Sequence, residues 1–254
     1  MFSNFTNLIL TSVLFILFQL IHANVYGQES DEIWPEVDGI YRINDQFRVM
    51  GTLSATRKES ENTDGSAAIY LDYFALPFFR KMETDIDSAK GYYQWFRVGY
   101  SYSHSVASPE DEFKENVIML ESNTRFHLPL IFLATFKNRL DTRFYNGSLI
   151  ERYRPRITLE RDFKTEFLTF TMYTYGEYYF NFNSTSSNKM RLCLGAEIWV
   201  TKVVSFEVYY LHQFQKESRG NDFNATGLVL KFNLESKHEK ALRKVEKEEV
   251  IRAK

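Results

Sequence analysis

The sequence contains very little cysteine, proline or glycine. Its 254 residues include 1 Cys, 5 Pro and 11 Gly. The single cysteine, Cys193, excludes an internal disulfide and a cysteine cage for zinc. Proline and glycine are too scarce for a low-complexity chain. The formal net charge is -2, so the chain has no overall positive field, and we expect no nucleic-acid partner.

Long apolar runs are also scarce, and the longest, NLILTSVLFILFQLI, occupies residues 7–21. Its length, and the small residues in the HANVYGQES that follows, predict a secretory signal peptide over residues 1–27, cleaved near Gly27. An uncleaved anchor is the alternative, because no Lys or Arg precedes the run. The run is, however, short for a membrane helix of about 20 residues. Any later crossing of a membrane would have to use strands.

Aromatic residues and period-two alternation are abundant. The chain has 23 Phe and 16 Tyr, which favour strands and membrane interfaces. Around residue 98, for example, Phe96, Val98 and Tyr100 share one strand face and Arg97 and Ser101 share the other. The alternating segments run for about 11 to 16 residues, whereas soluble strands average about 5 or 6. Aromatics near segment ends are typical of interfacial girdles: Tyr92, Tyr93, Tyr145, Tyr178, Tyr179, Phe180, Tyr209 and Tyr210.

This pattern predicts an all-β fold, a single antiparallel transmembrane β-barrel of about 10–12 strands. The barrel domain spans residues 28–234, and a charged periplasmic tail follows at 235–254. Counting begins near residue 46, and residues 32–43 are also strand-like. Barrels of this kind alternate long and short connections. Two connections break that rule, because residues 82–91 form a long link and Gly147 a tight one where the opposite is expected.

The stretch NRLDTRFYNGSLIERYRPRITLER, residues 138–161, places arginines at alternate positions. On a lipid-facing surface each would cost about 2–4 kcal/mol at the midplane, so we expect them inside, in forked bonds to carboxylates. The predicted lumen charge network consists of Arg97, Glu121, Arg125, Arg139, Asp141, Arg143, Arg152, Arg154, Arg156, Glu160, Glu177, Arg191, Glu197 and Glu207. It is either an ionic plug or a path for a small anionic solute, because arginine outnumbers acid near residues 130–160.

The same stretch resembles a family of uncharacterised bacterial outer-membrane barrels, domain of unknown function 2490. YGEYYFNFN, which contains Glu177, and NKMRLCLGAEIWVTKVVSFEVYYLHQF resemble its acidic-aromatic strand and its final glycine-containing hairpin. The likeness covers roughly residues 30 to 234. It implies the bacterial outer membrane as the location and outer-membrane lipid as the partner. It implies no assigned activity, so no catalytic residue follows from it.

No HExxH, GxSxG or GxxxxGK[ST] motif occurs in the sequence. His104 and His212 are expected at outward strand ends, where neither meets an obvious nucleophile. We therefore predict no catalytic residue, no cofactor and no metal, and protein partners stay undefined. The expected function is that of a structural or narrow-pore, porin-like barrel and not of an enzyme. Two alternatives are a barrel enzyme that acts at the rim and a soluble secreted β-sandwich that binds a partner.

Overall fold

The computed structural model describes residues 30–58, 64–77, 88–105, 114–182, 189–215 and 222–236. The predicted signal peptide and most of the predicted tail lie outside these residues. Within them, no helix is long and apolar enough to cross a membrane. The strands are β1 Ser30–Arg42, β2 Phe47–Lys58, β3 Asp64–Pro77, β4 Tyr92–Ser105, β5 Lys114–Leu128, β6 Phe132–Tyr145, β7 Ser148–Lys164, β8 Thr169–Asn181, β9 Lys189–Trp199, β10 Val204–Gln215 and β11 Phe223–Glu235.

These strands form one closed barrel in which each strand pairs with its neighbours in sequence, and β1 closes the circle on β11. The all-β barrel is confirmed, and its eleven strands fall within the predicted range. The prediction of a wholly antiparallel barrel is wrong for one pair, because β1 and β11 run parallel. An up-and-down sequence of strands that closes on an odd number must bring its first and last strands together in the same direction. The β-sandwich alternative is also wrong, since the sheet closes on itself.

The two ends of the barrel differ in their connections. Residues 59–63, 106–113, 182–188 and 216–222 separate strands at what we call the long-connection end. The other, short-turn end carries links of three or four residues, with one exception. That exception is the long connection from β3 to β4. The long-connection end has an exception of its own, the tight turn between β6 and β7 at Asn146 and Gly147 (φ 45° and 83°). Both irregularities predicted from the sequence are therefore present.

The two faces of the barrel wall are reversed relative to a soluble protein. Large apolar side chains point outward and are exposed, as in Leu53 at 64% and Ile157 at 62%. Polar side chains point inward, and Asp72 and Asn123 are fully buried. Successive residues of a strand face opposite sides, so the period-two pattern assigned these faces correctly. The predicted aromatic girdle is wrong for Tyr179, which is buried inside the barrel while its neighbour Phe180 is exposed outside.

Tyrosine rings lie over glycines on the inner wall. Tyr209 faces Gly227 across β10 and β11, and Tyr173 faces Gly195 across β8 and β9. A Cβ on Gly227 would stand 2.0 Å from Cζ of Tyr209, and one on Gly195 would stand 2.5 Å from Cζ of Tyr173. Only glycine permits this close approach. The rings fill the lumen by lying flat against the wall.

Candidate functional site

The most concentrated group of charges in the lumen lies on β6, β7 and β8. Asp141 opposes Arg152 in the register between β6 and β7, and Arg139 opposes Arg154. All four point inward because they occupy alternate positions of neighbouring strands. Nε of Arg139 donates to Oδ1 of Asp141 at 2.6 Å, and Nη2 of Arg152 donates to Oδ2 at 2.8 Å. Nη1 of Arg154 lies 3.5 Å from the same Oδ2. One buried carboxylate is thus shared by three guanidinium groups.

Glu177 on β8 forms the second half of this group. Nη2 of Arg154 donates to its Oε2 at 2.8 Å, and Nη2 of Arg156 lies 3.1 Å from its Oε1. The hydroxyl of Tyr179 donates to Oε2 of Glu177 at 2.6 Å and accepts from Nη2 of Arg154 at 2.8 Å. Glu177 is 2% exposed, so these bonds compensate for the loss of water around its charge.

Three guanidinium groups surround the ring of Tyr179. The Cζ atoms of Arg154, Arg191 and Arg152 lie 4.4, 4.8 and 5.2 Å from the ring centroid. Each is within the distance at which a cation is attracted to an aromatic face. Arg191 comes from β9, and its Nε donates to the neutral Oε1 of Gln213 at 2.6 Å. Tyr179 therefore joins β7, β8 and β9 through one ring.

The other predicted residues form separate groups. Arg97 binds Asp72 on β3 at 2.6 Å, and Arg143 binds Glu115 on β5. Glu121 pairs with Lys137 at 3.1 Å, and Glu160 pairs with Lys90 at 2.9 Å. The guanidinium of Arg125 lies over the ring of Trp95 at 5.7 Å. Glu197 and Glu207 both bind Lys231. All fourteen predicted residues face inward, but they make local clusters and not one continuous network.

The model of a family described as a protein of unknown function, DUF2490, matches residues 31–224. The chain belongs to this DUF2490 family. The match covers β1 to the first residues of β11 and so includes every strand that carries the arginine groups. No curated protein matches the chain.

At the short-turn end of this DUF2490 barrel, aromatic and cationic side chains are stacked. Phe74 and Trp95 are buried with ring centroids 5.9 Å apart, and Tyr92 packs against Phe74. The guanidinium of Arg48 lies over Phe74 at 5.1 Å, and that of Arg97 lies over Trp95 at 5.1 Å. The inner position of Tyr92 differs from the girdle prediction, which had grouped it with its outward neighbour.

Lys90 crosses the lumen at the same end. It lies in the short 3-10 helix Ser88–Gly91 just before β4, yet its Nζ lies 2.9 Å from Glu160 and 2.6 Å from Asp162 on β7. It also donates to Oγ1 of Thr171 on β8 at 3.2 Å. Burial lowers the pKa of Lys90, but the two carboxylates outweigh burial and hold that pKa above its usual value. The link between β3 and β4 is thereby tied to the opposite wall.

Beside this tie lies a cavity of about 210 Å³. Its wall includes Asp38, Arg48, Arg97, Glu197 and Lys231. Each of these charges already has a partner: Asp38 accepts from Thr52 at 2.6 Å, the two arginines share Asp72, and Lys231 binds Glu197. The cavity is large enough for several water molecules, and its lining consists of charges that are already paired.

Several inward-facing residues were absent from the predicted charge network. Asp72 and Lys231 alternate with apolar neighbours, and that signal could have placed them inside. Lys90 carries no such signal, because it precedes its strand. The tyrosine ring at 179 was assigned to the outer girdle, although its position two residues from Glu177 places both on the same face.

The two histidines that were expected at outward strand ends have ordinary contacts. The ring of His104 lies 5.7 Å from that of Tyr102, and Nδ1 of His212 lies 2.8 Å from Oδ1 of Asn224. Cys193 is buried and packs with Leu211 and Ala225. Among the residues that the structure describes, no group of three His, Cys, Asp or Glu side chains could hold a metal ion.

Proposed function

We propose that this DUF2490 protein spans the outer membrane of a bacterium as a structural or narrow-pore barrel, without a catalytic role. The observation that carries the proposal is the reversed polarity of the wall. Outward Leu140, Ile157 and Leu53 are 49–64% exposed, while the lumen holds the buried charges. Exposed apolar surface of this extent is costly in water but favourable against lipid.

The height of the apolar surface supports a membrane location. On β7 the outward charges Glu151 and Arg161 are ten residues apart, with Tyr153, Pro155, Ile157 and Leu159 between them on the same face. At about 3.4 Å per residue and a tilt of about 40°, this interval spans about 26 Å along the barrel axis. An apolar band of outer-membrane barrels is about 25 Å tall. The described outward positions of β3, β4, β6, β8, β9, β10 and β11 carry no Asp, Glu, Lys or Arg.

The filling of the lumen supports a structural or narrow-pore role. Arg154 contacts both Asp141 and Glu177 inside the lumen. At the short-turn end, Lys90 forms an ion pair across the opening, and Trp95 and Phe74 fill another part of the same opening. These side chains leave little room for a wide aqueous channel. The proposed passage is therefore limited to water and small ions.

A spin-label experiment tests the membrane location. Labels at Leu140 and Ile157 should collide with oxygen dissolved among acyl chains, whereas a label at the inward neighbour Thr158 should not. Cell fractionation should place the chain with the outer membrane. Equal oxygen accessibility at residues 157 and 158, or release of the chain without detergent, would contradict the proposal.

Conductance in planar bilayers tests the pore. The wild-type chain should give small, well-defined currents or none, and the variant Lys90→Met should increase the current because the tie across the mouth is lost. Gln46→Met, at an exposed turn of the same end, is the control. Wide, porin-sized currents from the wild-type chain would refute the narrow-pore role.

A further inference from the structure

We propose that the lumen binds a small oxyanion, such as a carboxylate, sulfate or phosphate, between Arg152 and Arg191 beside Tyr179. This inference rests on the proposed function, because it assigns a ligand class to the same lumen. It depends on the charge balance, the geometry of Arg191 and the access from the long-connection end.

The charge balance of this part of the lumen is positive. The inward positions of β6 to β9 near the long-connection end carry eight cations, whereas the same positions with their flanks on β5 and β1 carry five carboxylates. The cations are Lys137, Arg139, Arg143, Arg152, Arg154, Arg156, Lys189 and Arg191, and the carboxylates are Glu32, Glu115, Glu121, Asp141 and Glu177. Unbalanced charge inside a barrel is costly because the surroundings have a low dielectric constant. A bound anion would reduce that cost.

Arg191 is a cation that has no acidic partner among the residues that the structure describes. Its Nε donates to Gln213, which is neutral and 1% exposed. Its guanidinium stacks between Trp34 at 5.2 Å and Tyr179 at 4.8 Å. In the part of the chain that the structure describes, Arg191 forms no ion pair, although Glu177 opposes it in the register. The Nη atoms of Arg191 therefore keep their donors for another acceptor.

Arg152 contacts the same tyrosine ring as Arg191. The Cζ atoms of Arg152 and Arg191 lie 5.2 and 4.8 Å from the centroid of the Tyr179 ring, so they are at most about 10 Å apart. Arg152 keeps a side chain that is 16% exposed even though it binds Asp141. Two planar, forked guanidinium groups at this distance from one ring are donors that suit the oxygen atoms of a carboxylate, sulfate or phosphate.

The group can be reached from one end of the barrel. Arg152 is the fifth residue of β7 and Arg191 the third residue of β9, and both strands begin at the long-connection end. The aromatic stack and Lys90 lie at the opposite mouth. An anion would therefore enter from the long-connection end, and the side chains at the opposite mouth would hinder its passage through the barrel. The position is a binding site and not a through-path.

The test titrates the full-length, detergent-solubilised chain with inorganic phosphate, sulfate and succinate at constant ionic strength, with calorimetry as the readout. The decisive variant is Gln213→Glu, which has almost the same shape and gives Arg191 a carboxylate partner. Its affinity for the anion should fall by at least about tenfold. Arg191→Met should lose binding to a similar extent. Gln46→Glu makes the same substitution at an exposed turn of the other end and should bind as the wild-type chain does.

Three outcomes would overturn the site: no saturable binding of any of the three anions to the wild-type chain, unchanged affinity in Gln213→Glu, or an equal loss in Gln46→Glu. Should Gln213→Glu fail to fold, Arg191→Met decides the question, because it removes no partner of a buried carboxylate. The titration needs no membrane. Anion binding by a chain that never enters membranes would therefore refute the proposed function alone, and membrane insertion without anion binding would refute this site alone.

Discussion

Gly227→Ala should destabilise the barrel through a single steric contact. The new methyl group would stand 2.0 Å from Cζ and 2.2 Å from Cε1 of Tyr209, well inside the 3.0 Å below which real Cβ contacts essentially never fall. The ring must leave its place against the wall, where Tyr209 also packs on the cluster of Leu211, Ala225 and Cys193. Overpacking of this kind costs about 1–3 kcal/mol. We therefore expect the free energy of unfolding to fall by that amount.

The assay is equilibrium unfolding by urea in lipid vesicles or detergent, followed by tryptophan fluorescence. Gly51→Ala is the matched control, because its Cβ would face outward with no atom nearer than 4.0 Å. At residue 51 alanine should be neutral or should stabilise the fold by up to about 1 kcal/mol, because glycine in a strand loses more backbone entropy on folding than alanine does. Adding Tyr209→Leu to Gly227→Ala should restore part of the loss, whereas Tyr209→Phe, which keeps the ring, should not.

The reasoning fails on either of two results. A loss below about 0.5 kcal/mol in Gly227→Ala would place the variant among ordinary surface substitutions and would mean that the ring does not occupy the space above the glycine. Additive effects of Gly227→Ala and Tyr209→Leu would mean that the two residues are not coupled.

Three further variants test other parts of the structure by the same unfolding assay. Arg154→Met should cost about 3–5 kcal/mol, because it leaves the buried Glu177 with one cation fewer; Glu177→Gln in the same chain should recover part of the loss. Ile157→Arg should cost about 2–4 kcal/mol in vesicles if the position lies near the midplane, whereas Ile43→Arg, at a turn, should cost little. Lys90→Met should lower stability at neutral pH. The raised pKa of Lys90 means that its contribution is complete below the pKa of the unfolded chain and is lost as the pH rises through the higher folded value, so the gap between wild-type and variant should close only in strong alkali.

Each of these expectations has an opposite outcome. A cost below about 1 kcal/mol for Arg154→Met would show that water or other side chains compensate Glu177. Equal costs at residues 157 and 43 would argue against lipid contact on the wall. A stability gap for Lys90→Met that closes near neutral pH would mean that the amine is not held between its two carboxylates.

The faces of the strands could be predicted from the sequence because the side-chain period of a strand is two. Arg139, Asp141, Arg152 and Arg154 were expected inside on that ground, and they are inside. Their partners could not be predicted, since partners depend on the register between strands. The bond from Arg191 to Gln213 joins two strands whose alignment the sequence does not state.

Contacts that leave the strand lattice were also beyond the sequence. Lys90 stands in a connection, so alternation assigns it no face, and its approach to Asp162 follows from the path of the chain over the barrel mouth. The parallel closure of β1 on β11 depends on whether the number of strands is odd. The strand-like character of residues 32–43 was visible, but it did not show that this segment pairs with the last strand as well as with β2.

The parallel pair would have a consequence for the path of the chain across the proposed outer membrane. Ser30 lies beside Phe223 at the long-connection end, and Arg42 lies beside Glu235 at the short-turn end. Strands inserted as hairpins cross in twos and return to the side from which they came. In the proposed membrane location, one of the eleven crossings would have no return, so the chain would enter the barrel at Ser30 on one side of the membrane and leave it at Glu235 on the other. A protease confined to one side of the membrane would therefore reach a tag at only one terminus.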